Sequence, residues 1–189
     1  MRISSVAFAV AAVVALPRLA DARPIMAGVG VGRIQSKLDA NGDASDSLQV
    51  FGRLNITPRV AAQVELQKIA TPQDQVDIRT GTLLVVVDLG HSGHLYPTMF
   101  GGLGLDRATD TWGDTITGSH KEGGFGLEYR ADGGLTIGVD VRLGGRSVDP
   151  QKYMIEPAYN DSGTIALYQP ETLQSGEYRS GRVFAAIRF

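Results

Sequence analysis

The sequence contains no cysteine, which removes disulfide scaffolding, thiol nucleophiles and Cys-ligated metal sites from consideration. It has no long apolar run either: beyond the first two dozen residues nothing approaches the ~20 consecutive apolar residues of a spanning helix. The 3.6-residue period of an amphipathic helix is nowhere sustained. An excess of one charge is also missing. With 18 Lys and Arg against 20 Asp and Glu, the chain offers no reason to expect a nucleic-acid partner.

What is present points to a single β-rich domain: 24 Gly and 43% apolar residues in 189. The first segment reads as an address. Arg2 is followed by the apolar run Val6 to Leu16 and then by Ala20-Asp21-Ala22, whose small residues two apart suit cleavage before Arg23. Eleven apolar residues are too few for a helical anchor, so residues 1–22 are read as a signal peptide and 23–189 as the mature domain. Cleavage leaves 16 basic and 19 acidic residues.

In the remainder the period is two. Leu48, Val50, Leu54 and Ile56 alternate with Gln49, Arg53, Asn55 and Thr57; after Thr57-Pro58-Arg59, Val60, Ala62, Val64 and Leu66 alternate with Ala61, Gln63, Glu65 and Gln67. Phe125, Leu127 and Tyr129 oppose Gly124, Gly126, Glu128 and Arg130. After the Ala131-Asp132-Gly133-Gly134 turn, Leu135, Ile137, Val139, Val141 and Leu143 oppose Thr136, Gly138, Asp140 and Arg142. The chain ends with Val183, Ala185, Ile187 and Phe189 on one face and Arg182, Phe184, Ala186 and Arg188 on the other. Three further strands are less regular. Met26 to Ser36 is too glycine-rich to show its apolar face, Val76 to Leu89 is apolar on both faces around Leu83 to Val87 and suggests a bulge, and Tyr96 to Asp106 is the third. Eight strands result.

Connections after even strands are short, around Pro58, from Gly90 to Leu95 and from Ala131 to Gly134. Those after odd strands tend to be longer and polar, Lys37 to Asp46, Thr71 to Gln75, Arg107 to His120 and Gly144 to Glu177, and of these only the second is not long. Short turns at one rim and long loops at the other are the habit of outer-membrane barrels, whose long loops lie outside. A soluble lipocalin-like periplasmic barrel binding a small apolar ligand shares the alternation with its apolar face turned inward. The polar faces here carry Gly, Gln, Thr and paired Arg, Glu and Asp but few Lys, which favours an inward polar face filled by side chains, Phe51, Phe184 and Gln63 among them, over a solvent-exposed one. Tyr129 and Phe189 suit the aromatic girdle at the periplasmic rim, whereas Tyr96 and Tyr178 fall on the polar parity.

The glycine-rich first strand, the segment Met99-Phe100-Gly101-Gly102-Leu103-Gly104-Leu105 and the terminal Arg182-Val183-Phe184-Ala185-Ala186-Ile187-Arg188-Phe189 resemble the small OmpA/OmpX-like outer-membrane barrels of Gram-negative bacteria. The resemblance implies an eight-stranded antiparallel up-and-down transmembrane β-barrel in the outer membrane. It also implies a terminal strand read by the barrel assembly machinery, and a structural or surface-interaction role rather than a large-solute pore.

Three candidate chemistries compete with that reading. His91-Ser92-Gly93-His94 and Ser119-His120 set hydroxyls beside imidazoles, as a lipid-modifying hydrolase would require. The first lies in a short turn, however, and the second in a connection with no acid in fixed register. The His91/His94 pair lacks the further ligands of a metal site. Glu65, Glu128 and Asp140 lie among Arg53, Arg130, Arg142, Arg182 and Arg188, the composition of an ion-pair network rather than of an acid/base pair. No catalytic residue, cofactor or metal is therefore expected. The expected partners are membrane lipid and, at the loops, an extracellular ligand; the connection from Gly144 to Glu177, with Tyr153, Tyr159, Tyr168 and three Pro, is the candidate surface for the latter.

Overall fold

Alternation of side chains across a strand becomes alternation across a wall. The computed structural model describes residues 24–36, 44–70, 76–110, 115–148, 158–159, 165–166 and 175–189; the expected signal segment lies outside them. The strands are β1 (Ile25–Ser36), β2 (Ala44–Asn55), β3 (Val60–Ala70), β4 (Val76–Asp88), β5 (Leu95–Asp110), β6 (Thr115–Arg130), β7 (Leu135–Val148), β8 (Ala158–Tyr159), β9 (Ile165–Ala166) and β10 (Gly176–Arg188). Eight of them close an antiparallel barrel in the order β1-β10-β7-β6-β5-β4-β3-β2, while β8 and β9 pair separately. No helix occurs among the described residues.

The ladders fix the stagger. Followed from Ile187 through Ala27, Gly52, Val64, Leu83, Leu103, Lys121 and Gly145, the pairing returns to β10 at Glu177, ten residues from its start. In eight strands such a shear tilts each strand by roughly 40°. The outward run Leu95 to Leu105 on β5, ten steps at ~3.3 Å along a strand tilted by ~40°, therefore covers about 25 Å along the barrel axis.

The wall is apolar outside. Leu48, Leu66, Leu83, Leu103, Leu105, Phe125, Val141 and Leu143 are each more than half exposed, while Gln49, Gln63, Glu65, Glu128, Asp140 and Arg182 are buried. A soluble lipocalin-like barrel would reverse this. β1, whose face the sequence left open, turns Val29 and Val31 outward. Of its inward glycines, Gly28 makes room for the Phe51 ring and Gly30 for the Arg182 side chain, as Gly138 of β7 does for Phe184: a Cβ on Gly138 would lie 2.3 Å from Phe184 Cζ. Phe184 meets Phe51 edge-on at 5.4 Å between ring centroids.

Several sequence expectations change. β4 holds an unbroken register with both neighbours and has no bulge; it is apolar on both faces because Leu84 and Val86 pack inward with Ala61 and Phe100 while Leu83 and Val85 face out. The connection expected from Arg107 to His120 is mostly strand, since Ala108 and Ile116 continue the inward alternation and are buried. β7 runs on to Val148 and β10 begins at Gly176, so strands reach into both ends of the segment 144–177. In the turn after β6, Gly134 takes the left-handed conformation with φ of 94°, and its N–H closes on Ala131 O at 3.1 Å.

Candidate functional site

The inward positions converge on one another from opposite walls. β3 and β7 stand four strands apart in either direction around the barrel, as do β2 and β6. Arg142 of β7 crosses to Glu65 of β3 (Nη1–Oε2 2.6 Å, Nη2–Oε1 2.9 Å), and Arg53 of β2 crosses to Glu128 of β6 at 2.6 Å. Each diametric pair is elaborated. Arg142 also donates to Glu122 at 2.6 Å and to Asp140 on its own strand at 3.1 Å. Arg182 donates to Asp140, to Gln49 at 2.6 Å and to Glu65 at 3.0 Å, and the Gln49 and Gln63 side-chain amides donate to Glu65. Nearer the short-turn rim, Arg130 joins Glu128 and both carboxylate oxygens of Asp88, at 2.7 and 2.9 Å, and stacks over the Tyr96 ring.

So many charges are tolerable in a narrow interior because each is answered by an opposite charge and by hydrogen bonds; a lone ion there would be very costly. The residues read from the sequence as an interior network are thus brought together, with Arg188 instead donating to Ala131 O at 3.0 Å at the short-turn rim. Apolar side chains flank the charged column. Ile34, Ile69, Ile78, Ala108, Ile116 and Tyr178 cluster inside the long-loop rim, and Met26, Phe51, Phe184 and Ala186 towards the other. Tyr178 therefore points inward, its hydroxyl donating to Glu122 at 2.9 Å. Neither it nor Tyr96 joins a girdle, since both keep the inward parity of their strands; Tyr129 and Phe189 do face outward.

The hydroxyl–imidazole candidates do not assemble. Ser119 and His120 are adjacent in β6 and lie on opposite sides of the wall, Ser119 exposed and His120 6% exposed. In the short turn, His91 stacks on Tyr96 with centroids 5.1 Å apart, and His94 Nδ1 lies 3.0 Å from Arg130 O. Among the described residues no cluster of three His, Asp or Glu is arranged to hold a metal ion. Register instead builds a constellation that sequence reading missed. Thr82 Oγ1 and His120 Nε2 are hydrogen-bonded at 3.0 Å, and His120 Nδ1 stands 3.0 Å from Asp106 Oδ1, off the line of a good hydrogen bond. Asp106 is held by Arg146 Nε at 2.8 Å.

The order hydroxyl, imidazole, carboxylate is that of a hydrolytic triad, yet Thr82 is 6% exposed and lies deeper along β4 than Ile78 of the apolar layer. The imidazole fits only because Gly104 faces it, where a Cβ would come within 2.2 Å of His120 Cε1. The constellation is a packed polar strut.

No protein-family model and no curated protein sequence matches the chain. Solved structures do. Neisserial surface protein A aligns with a TM-score of 0.60 at 13% identity, over 87% of this chain and 96% of its own. The N-terminal β-barrel domain of Pseudomonas aeruginosa OprF aligns with 0.54 at 14%, over 87% and 97%. Likeness at this identity is a likeness of fold: the chain has the architecture of the small eight-stranded outer-membrane barrels, the one that its C-terminal strand resembles.

Proposed function

We propose that the protein is a plugged outer-membrane barrel that serves a structural or surface-interaction role and conducts no solute. One observation carries the reading: a wall apolar on the outside for about 25 Å, the height of the lipid-facing band of such barrels, encloses an interior crossed by the diametric Arg142–Glu65 and Arg53–Glu128 pairs. An interior of eight strands is just wide enough for side chains, and here they span it. In this reading the rim bearing the segments 37–43, 71–75, 111–114 and 149–175 faces the exterior and meets partners there. The terminal strand engages the assembly machinery from the opposite rim.

The test is electrical and biochemical. Purified protein in planar bilayers is expected to give no steady conductance, and fractionated cells are expected to release the chain only with detergent from the outer membrane. Reproducible open channels would overturn the plugged reading. Release in the soluble periplasmic fraction would overturn the membrane one.

A further inference from the structure

The long-loop half of the interior holds more acids than bases. Glu65, Asp140, Glu122 and Asp106 are its four carboxylates, and Arg142, Arg182 and Arg146 are its three guanidinium groups. Each acid touches a base only because Arg142 is shared among three of them and Arg182 between two. The short-turn half is even, with Arg53 and Arg130 against Glu128 and Asp88. Arg188, the remaining inward cation among the described residues, lies at that rim as well. One negative charge in the upper half is therefore left without a cation of its own, in a setting where an unanswered charge is costly.

His120 stands among these acids. Its side chain is 3% exposed, and that of Asp106 is fully buried. The ring is framed by every strand around it. Thr82 of β4 meets Nε2, Asp106 of β5 lies 3.0 Å from Nδ1, and Arg146 of β7 is the ladder partner of His120. Tyr178 of β10 meets the ring edge-on, with centroids 6.3 Å apart. Glu122 is the next inward residue on β6 itself and accepts from the Tyr178 hydroxyl. The next inward group on β4, Thr80, and its β3 partner Gln67 are uncharged.

A neutral imidazole has one proton for two nitrogens, and Nδ1 is a buried atom without a hydrogen bond. A second proton, taken from solvent, makes both nitrogens donors. Nε2 then donates to Thr82, and a small rotation of the ring brings the Nδ1 proton into line with Asp106.

We propose that His120 is a proton-operated latch for the long-loop end of the barrel. The imidazolium brings this half to four cations against four carboxylates and adds a charge-assisted bond to Asp106, a kind stronger than a neutral one. Tyr178, which the ring touches, belongs to the apolar layer inside the long-loop rim, together with residues of β1, β3, β4, β5 and β6. Proton uptake thus firms the strand ends that carry the long connections. The sign follows from linkage: a folded state that binds more protons than the unfolded chain gains stability as pH falls and loses it as pH rises.

The experiment uses the whole chain folded in detergent micelles, so that its outcome does not depend on the membrane reading. Urea unfolding is compared at about pH 8 and about pH 5.5, a span in which imidazole changes charge and ordinary carboxylates do not. Imidazole nitrogen shifts in NMR spectra report the protonation of each ring. The folding equilibrium constant of the wild type is expected to rise about tenfold or more on acidification, as one proton taken up over a pH unit or more gives, with the His120 ring doubly protonated at the lower pH. His91→Gln with His94→Gln should keep the gain, since both rings are exposed at the short-turn rim. His120→Gln should abolish it. Glu122→Gln keeps the imidazole, removes the surplus negative charge and should lose most of the gain, which a purely structural role for His120 would leave in place. Should His120→Gln fail to fold, Glu122→Gln and the ring shifts decide. No gain in the wild type, an undiminished gain in His120→Gln or Glu122→Gln, or a His120 ring still neutral at the lower pH would each overturn the proposal.

Discussion

Arg142 grips both carboxylate oxygens of Glu65 from the opposite wall, through Nη1 at 2.6 Å and Nη2 at 2.9 Å. The pair acts as a tie-rod across the barrel, and Glu65 also receives Arg182. Glu65→Ala leaves two guanidinium groups short of a partner in a buried setting, and the expected cost is about 3–5 kcal/mol. Replacing Glu65 by Leu together with Arg142 by Met removes both ends of the bond and leaves Arg182 on Asp140 and Gln49, but it also takes the guanidinium from Glu122, so it should recover part of that loss and not all of it. Urea titration of the vesicle-inserted protein, read by heat-modifiable gel migration, measures both. A double variant no better than the single would mean that the pair itself is not what Glu65 contributes.

Val139, half exposed near the middle of the apolar band, and Gly145, outward at the long-loop rim with nothing within 4 Å of a would-be Cβ, form a depth ruler. Val139→Arg is expected to cost about 2–4 kcal/mol and Gly145→Arg about 0–1 kcal/mol, the depth dependence of a charge on a lipid-facing wall. Reversible unfolding from vesicles gives both numbers, and equal costs would contradict the assigned facing.

Gly138 and Phe184 make a steric pair. Gly138→Val drives a side chain into the Phe184 ring and should destabilise by about 1–3 kcal/mol, the usual range for overpacking. Adding Phe184→Ala should relieve part of that cost rather than deepen it. The double-mutant cycle on unfolding midpoints decides; purely additive losses would show that the ring does not occupy the space above Gly138.

Phe189 is outward and 38% exposed, and its N–H donates to Ile25 O at 2.8 Å. If the assembly machinery engages this strand, as proposed above, deleting Phe189 should lower insertion in cells more than refolding into detergent micelles. Outer-membrane yield set against refolding yield measures this, and equal losses would reduce Phe189 to one more ladder residue.

The sequence made some of this barrel legible and hid the rest for physical reasons. Leu135 to Leu143 could be read at once because both faces of β7 are strongly typed, branched apolar against polar. β1 could not, since glycine belongs to neither class; Gly28 makes sense beside the Phe51 ring of the adjoining β2, and Gly30 only when closure on β10 brings Arg182 beside it. β4 misled because inward residues are not all polar: Leu84 and Val86 serve a local apolar patch. The interior network was readable as composition but not as pairing, for Arg53 and Glu128 are 75 residues apart and meet only through the register of every intervening ladder. The contact of Thr82 with His120 was hidden in the same way. The lone signal for it was parity: Asp106 ends the polar face of the strand Tyr96 to Asp106, and His120 continues the inward alternation of β6, whose start the sequence placed too late.

The β1–β10 seam sets an order of events. Most ladders join neighbours in sequence, but Met26 pairs with Arg188 and Ser36 with Tyr178, so nearly the whole chain must be present before the circle can shut. Long-range pairings of this kind are slow to form, because the entropy of closing the intervening chain is spent before the contact returns it. Until then the sheet has two raw edges whose amide and carbonyl groups find no partner in hydrocarbon, a state that lipid does not tolerate. On the membrane reading proposed above, full immersion must therefore wait until β1 and β10 meet, and the pairing of Met26 with Arg188 through Ser36 with Tyr178 acts as the latch.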